Sequence, residues 1–75
     1  MDINKIRTEM SKIGTLKDCS IYNFNSLEIV IIDVKHNANI KNDINNIIYN
    51  LIFPYFKYTK NYKYMHNTIK LSFCK

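Results

Sequence analysis

Aromatic and cationic side chains alternate in residues 55–66, which read YFKYTKNYKYMH. Aromatic rings stack on unpaired bases while lysines bind phosphates, so this combination is typical of surfaces that hold single-stranded nucleic acid. In an extended chain every second side chain lies on the same face. The even-numbered side chains would then lie together: Phe56, Tyr58, Lys60, Tyr62, Tyr64 and His66. The pattern predicts a site for RNA or single-stranded DNA formed by Lys57, Tyr58, Lys60, Tyr62, Lys63, Tyr64, His66 and Lys70.

The charge of the chain is unevenly distributed. Residues 1–45 contain six basic and six acidic side chains, whereas residues 46–75 contain five lysines and no acid, so the whole net charge of +5 lies in the last 30 residues. A one-sided basic surface is the electrostatic signature of a protein that binds nucleic acid or another polyanion. Lysines that cover an exposed strand face or edge would give the same pattern, and this interpretation stays open.

Five residue types dominate the composition, since Ile, Asn, Lys, Tyr and Phe make up 44 of the 75 residues. Gly, Ala, Arg and Pro, whose codons are rich in G and C, total four. This bias indicates an A+T-rich genome, such as that of a phage, a virus, an organelle, a low-GC bacterium or a parasite, and it can supply part of the lysine excess. A small domain from such a genome also fits a second hypothesis, a protein-interaction module that inhibits or adapts one host protein, such as a nucleic-acid enzyme.

One short segment suggests catalysis. Asp33-Val34-Lys35 resembles half of the metal-dependent PD-(D/E)xK nuclease motif. In that family two carboxylates hold a divalent ion and the lysine stabilises or activates the attacking water, and the resemblance implies Asp18 as the other carboxylate. The Pro-Asp pair of the motif is absent, and a solvated charge pair at a strand end has the same sequence. We therefore expect a protein without enzymatic activity.

The remaining chemically reactive side chains form no recognisable site. His36, His66, Cys19 and Cys74 lack the close spacing of zinc ligands, so we expect no metal and no cofactor. Two cysteines are too few for a disulfide scaffold. The chain begins without the apolar stretch of a signal peptide, and no segment is apolar enough to span a bilayer. These features predict a cytoplasmic protein that does not associate with membranes.

Hydrophobic spacing predicts the elements that must position these side chains. Asp2 would cap the first helix, and Gly14 would end it in the left-handed conformation. Asn37 or Asn39 would cap the second helix, and Pro54 would end it. We expect helices at residues 3–13 and 40–52, strands at 17–24, 27–34, 55–60 and 68–74, a turn at 25–26, and a loop at 61–67.

These elements predict an α+β fold, with residues 1–75 as a single domain of order α-β-β-α-β-β and two helices packed on one mainly antiparallel sheet. The hydrophobic content of 47% excludes a disordered tail. Residues 29–32 are apolar at every position, whereas a strand with one solvated face should alternate. The second strand should therefore be covered on both faces, either by a helix on each side or by a second chain, which includes self-association as a homodimer through the apolar sheet.

Overall fold

The computed structural model describes residues 1–75 and confirms the α+β fold and the order of its elements. The first helix precedes the first β-hairpin, and the second helix lies between the two hairpins. The four strands form one antiparallel sheet. The elements are α1 (Ile3–Ser11), β1 (Thr15–Tyr22), β2 (Ser26–Ile32), α2 (Ile40–Ile47), which continues as a π-helix (Ile48–Ile52), β3 (Tyr58–Met65) and β4 (Thr68–Cys74).

The strand order across the sheet is β1-β2-β4-β3, so the last strand of the chain pairs with the second. Strands β2 and β4 occupy the centre because they carry the most regular apolar alternation, and β1 and β3 form the edges. Each hairpin turn contains two adjacent residues with positive φ, Asn23-Phe24 in the first, which also includes Asn25, and His66-Asn67 in the second. Positive φ at both central residues is the geometry of a type I′ turn, whose twist matches that of the strands.

Both helices pack on the same face of the sheet. Every second residue of β2 and β4 is buried against them, and these six side chains are Leu27, Ile29, Ile31, Ile69, Leu71 and Phe73. The helices contribute Ile6 and Met10 from α1 and Ile44 from α2 to the same core. The opposite face carries no helix, and we call it the open face. Of the two alternatives for covering β2, a helix on each side is therefore wrong, and a second chain on the open face, where Val30 and Ile32 lie half-buried, stays a prediction.

The first helix is held at its N-terminus and at the edge of the sheet. The Asp2 carboxylate accepts hydrogen bonds from the amides of Asn4 and Lys5 at 3.1 and 3.2 Å, which confirms the predicted cap. From the middle of α1, the Arg7 guanidinium donates to the carbonyl oxygen of Cys19 at 3.2 and 2.9 Å. This contact attaches the helix to an edge strand whose outward carbonyl has no neighbouring strand to pair with.

Gly14 does not adopt the left-handed conformation predicted for it, so this position requires glycine for another reason. The helix ends earlier than predicted, at Ser11, and Gly14 lies where the chain crosses the end of β2. A Cβ atom at this position would be 2.7 Å from the carbonyl oxygen of Ile32 and 3.1 Å from the Cα of Val34. The glycine therefore permits a close approach between two backbone segments.

Several predicted boundaries are corrected by the structure. The first hairpin turns at residues 23–25 instead of 25–26, and the segment predicted as a loop, 61–67, is mostly strand β3. The cap of α2 is correctly placed at Asn39, but its side chain makes no capping hydrogen bond. Instead, the Asn37 side chain accepts from the Asn39 amide at 2.9 Å. The second helix changes to π geometry at Ile48 and ends, as predicted, before Pro54.

A candidate nucleic-acid interface on the open face

The register of the strands places the residues of the open face in rows that cross the sheet from β1 to β3. One row contains Tyr22, Ser26, Cys74 and Tyr58, and the next contains Ser20, Glu28, Ser72 and Asn61. The third contains Asp18, Val30, Lys70 and Lys63. The open face is thus mainly polar and is bounded by tyrosines at one end.

A β-bulge between Thr59 and Asn61 changes which side chains of β3 share a face. Before the bulge, Tyr58 is paired with Cys74 on the open face, and after it Tyr62 is paired with the buried Leu71 on the helical side. The expectation that the even-numbered side chains lie together is therefore wrong. The open face of β3 carries four residues: Tyr58, Asn61, Lys63 and Met65. The extra residue of a bulge reverses the alternation that the sequence pattern assumes.

Lys63 and Lys70 lie directly opposite each other on β3 and β4, and we call them the lysine pair. Both side chains are exposed. Like charges in a directly opposed cross-strand pair destabilise a sheet. The one salt bridge of the structure joins Glu9 and Lys12, so neither member of the lysine pair has a carboxylate within 4.0 Å. Two adjacent cations therefore face solvent without a protein counterion.

The lysine pair borders a shallow depression of about 480 Å³ at one end of the open face. Its lining is almost entirely polar and consists of Asn61, Lys63, Met65, His66, Thr68 and Lys70. Every lining residue except Met65 offers a nitrogen or hydroxyl donor, and the two lysines also carry positive charge. This surface can surround an anionic group with charge and hydrogen bonds.

The acidic side chains of the open face lie on its other half and are bound to neighbours. The Asp18 carboxylate accepts from the hydroxyls of Ser20 at 2.7 Å and Tyr22 at 3.2 Å. Glu28 accepts a hydrogen bond from Ser72 on the neighbouring strand β4. The acidic residues of the open face thus belong to β1 and β2 and its cations to β3 and β4, and the Glu28 carboxylate lies at the boundary, against Ser72 of β4.

Tyr64 lies on the helical side of the sheet, where its side chain contributes to the packing of the fold. Its ring stacks on His36 with centroids 5.8 Å apart, and its hydroxyl is 2.9 Å from His36 Nδ1. The other ring nitrogen of His36 is hydrogen-bonded to Asn67 in the turn of the second hairpin. The amide of Val34 also donates to the carbonyl of Asn67 at 3.0 Å. These contacts fix the end of the hairpin that carries the lysine pair to the segment after β2.

The other residues predicted for the site are dispersed. Lys57 precedes β3, Lys60 lies in its bulge, and both are exposed. Tyr62 lies on the helical side, where partial burial raises the pKa of its phenol. His66 occupies the hairpin turn with φ of 53° and borders the depression. The structure thus brings Lys63, Lys70 and His66 together and separates them from Tyr62 and Tyr64.

Sequence reasoning missed the aromatic residues of the first hairpin. Phe24, at the turn, is 86% exposed, which is the highest value among the large hydrophobic side chains. Tyr22 lies at the same end of the sheet as Tyr58, in the same row. The signal was available in the sequence, because a phenylalanine between two asparagines (Asn23 and Asn25) at a hairpin turn has no core to enter.

The residues of the nuclease-like segment are not assembled around a metal. Asp33 is exposed, with φ of 51°, in the bend that follows β2, and Asp18 is hydrogen-bonded within β1. No group of three or more His, Cys, Asp or Glu side chains in residues 1–75 could hold a metal ion. Cys19 is buried, Cys74 is half-buried, and both are free thiols.

Comparisons of the chain with protein-family models, with curated protein sequences and with solved structures found no match. Neither helix has the length and the apolar character that a membrane-spanning helix requires.

Proposed function

We propose that the protein binds RNA or single-stranded DNA through the half of the open face formed by β3 and β4. The observation that carries this proposal is the lysine pair, Lys63 and Lys70, which are directly opposed, exposed and without a carboxylate partner. A phosphate placed between them would neutralise their mutual repulsion and release counterions from the nucleic acid. The proposal includes no catalytic step.

The surroundings of the lysine pair support a nucleic acid as the anion. Asn61 and Thr68 line the same depression and can hydrogen-bond to phosphate, sugar or base edges. Asp18 lies on the far edge strand β1, and the Glu28 carboxylate is engaged by the hydroxyl of Ser72 on β4. An extended strand of nucleic acid that follows β3, which contains no acidic residue, meets Lys63 and, directly across from it, Lys70.

The proposal is tested by fluorescence anisotropy with labelled single-stranded RNA and DNA at about 50 and 200 mM salt. The variant is Lys63→Glu/Lys70→Glu. The matched control is Lys5→Glu/Lys41→Glu, which makes the same change in net charge at two exposed lysines of the helices. Circular dichroism of both variants checks that the fold is retained.

We expect the wild type to bind with strong salt dependence and the open-face variant to lose at least about tenfold in affinity at low salt. Because each phosphate contact contributes about 0.7 to the slope of log affinity against log salt for single strands, that slope should decrease by about 1.4. The helix variant should change affinity much less. Equal losses in the two variants, or no binding by the wild type at low salt, would contradict the proposal and return attention to a protein partner.

A further inference from the structure

The end of the open face opposite the depression carries an unusual set of exposed aromatic side chains. Tyr22 and Tyr58 lie at the two ends of one row, on the edge strands, and are 48% and 64% exposed. Three strand spacings separate them, which is about 14 Å. Phe24, in the turn that follows Tyr22, is 86% exposed. We call these three residues the aromatic end of the open face.

Phe24 occupies its position at a cost to stability. Its φ of 61° lies in the left-handed region, which is unfavourable for a bulky side chain and favourable for glycine. The type I′ turn formed here by Asn23 and Phe24 is most often formed by Asn-Gly. The ring is exposed and therefore gains little from burial to offset this strain. Strained backbone and an exposed aromatic ring at the same residue point to a binding role.

Tyr22 is held in a defined orientation on the same surface. Its hydroxyl donates to the Asp18 carboxylate four residues earlier on β1, at 3.2 Å. Residues 18, 20 and 22 share the open face, so this bond aligns the side chain along the strand and leaves one side of the ring to solvent. An aromatic ring held in this way loses little conformational entropy on binding.

The cations nearest the aromatic end lie on the side of strands β3 and β4. Lys57 immediately precedes Tyr58, whereas the Lys75 ammonium lies over the buried Phe56 ring at 5.8 Å and the Asp18 carboxylate accepts from Tyr22. The lysine pair lies two rows away, since Lys70 is four residues before Cys74 on β4, a distance of about 13 Å. The lysine pair and Tyr58 thus lie along the same strands, at a separation that a few nucleotides can cover.

We propose that the aromatic end stacks on unpaired bases of the nucleic acid whose phosphates the lysine pair binds. This inference rests on the proposed function and specifies its ligand as a strand with accessible base faces, since a duplex hides them. It assigns Tyr22 and Phe24 as contact residues on the first hairpin. The binding site then extends across the sheet from edge to edge.

The test compares two labelled oligonucleotides of equal length and charge, one with bases and one in which every position is abasic. The variant is Phe24→Ala/Tyr58→Ala. The matched control is Tyr49→Ala, which removes an exposed tyrosine from the helical layer. Affinity is measured by anisotropy over a range of salt concentrations.

Alanine substitution at a stacking residue lowers single-strand affinity by roughly five- to a hundredfold per base. We expect the double variant to lose at least about tenfold for the oligonucleotide with bases, with an unchanged salt slope, and to bind the abasic strand as the wild type does. Tyr49→Ala should leave both affinities unchanged.

Two results would overturn the inference while leaving the proposed function intact. One is a wild type that binds both oligonucleotides equally, with affinity that is lost in Lys63→Glu/Lys70→Glu. The other is an unchanged affinity of the Phe24→Ala/Tyr58→Ala variant for the strand with bases, which would assign the aromatic end to another partner, such as a protein. Absence of all binding would overturn the proposed function itself.

Discussion

At the scale of single residues, the side chains that matter for function differ from those that hold the fold. Tyr64 contributes to a stacked and hydrogen-bonded contact with His36, and Arg7 attaches α1 to the edge of the sheet. Phe24, by contrast, combines a left-handed backbone with an exposed ring and contributes little to the core. A phenylalanine at this position is easier to explain by binding than by stability.

The strain at Phe24 leads to a prediction about stability. Phe24→Gly should be more stable than Phe24→Ala by about 1 kcal/mol, because glycine adopts positive φ without the steric cost that any Cβ imposes. Urea unfolding of the two variants measures the difference, and both lack the aromatic ring, so ring loss cancels. Equal midpoints would show that the turn stores no such strain.

Cys19 gives a prediction about pH. Burial raises the pKa of its thiol above the ordinary value of 9.0, and the nearby Arg7 opposes this shift only in part. Above about pH 9 the unfolded chain therefore loses this proton before the folded protein does, so the folded state binds more protons and its stability falls as pH rises. Below the ordinary pKa the thiol is protonated in both states and has no effect.

The free energy of unfolding, measured with urea at pH 7, 8.5 and 9.5, should decrease over the upper interval in the wild type. The decrease should be smaller in Cys19→Ala, which removes the titrating group, and unchanged in Tyr49→Ala. Partial burial also raises the pKa of Tyr62, whose contribution has the same sign and begins at higher pH. Identical pH profiles for the wild type and Cys19→Ala would refute this account.

At the scale of elements, the connections between strands and the bulge in β3 determine which side chains lie on each face of the sheet. The bulge in β3 moves Lys63 to the open face, opposite Lys70, and Tyr62 to the helical face. The His36–Tyr64–Asn67 contacts attach the second hairpin to the segment after β2. The connection between α1 and β1 passes close to the end of β2 at Gly14.

Gly14→Ala should destabilise the protein by about 2 kcal/mol or more, since the new Cβ would meet the Ile32 carbonyl oxygen at 2.7 Å and Ile31 Cγ2 at 2.9 Å. The contact with backbone cannot be relieved by a side-chain rotation. Thermal unfolding followed by circular dichroism measures the loss, and Ser11→Ala at the exposed end of α1 serves as the control. A melting temperature equal to that of the wild type would contradict this prediction, since it would show that the segment around Gly14 and the end of β2 can move apart with no loss of stability.

At the scale of the whole molecule, one small core on one side of the sheet supplies the stability. All 16 buried residues belong to a single hydrophobic cluster, and no polar side chain is buried. The open face contributes charge and aromatic surface instead. A chain of 75 residues buries a modest fraction of its surface on folding, so its free energy of unfolding is small.

Phe73→Ala should therefore cost about 3–5 kcal/mol, enough to unfold most of the population, because the ring is fully buried at the centre of the sheet. Phe24→Ala removes the same side chain from an exposed turn and should leave the fold intact. Near-ultraviolet circular dichroism and urea titration compare the two variants. A folded Phe73→Ala protein of near wild-type stability would contradict the assignment of the core to this face.

The sequence by itself determined the fold class, the order of the elements, the cap at Asp2 and the concentration of positive charge in the last 30 residues. These features depend on local propensity, on hydrophobic periodicity and on the positions of charged residues along the chain, none of which requires knowledge of distant contacts. The same local patterns could not define the faces of β3, since a single extra residue in a bulge inverts the alternation.

Only the tertiary structure decided which charges and rings share a surface. The opposition of Lys63 and Lys70 depends on the register of β3 against β4, and the row from Tyr22 to Tyr58 depends on all three strand pairings. The apolar run 29–32 predicted cover on both faces of β2 by two helices or by a second chain, and the structure excludes the first alternative because both helices pack on one face. Strand order and layer placement result from the combined packing of the whole chain, and the open face follows from them.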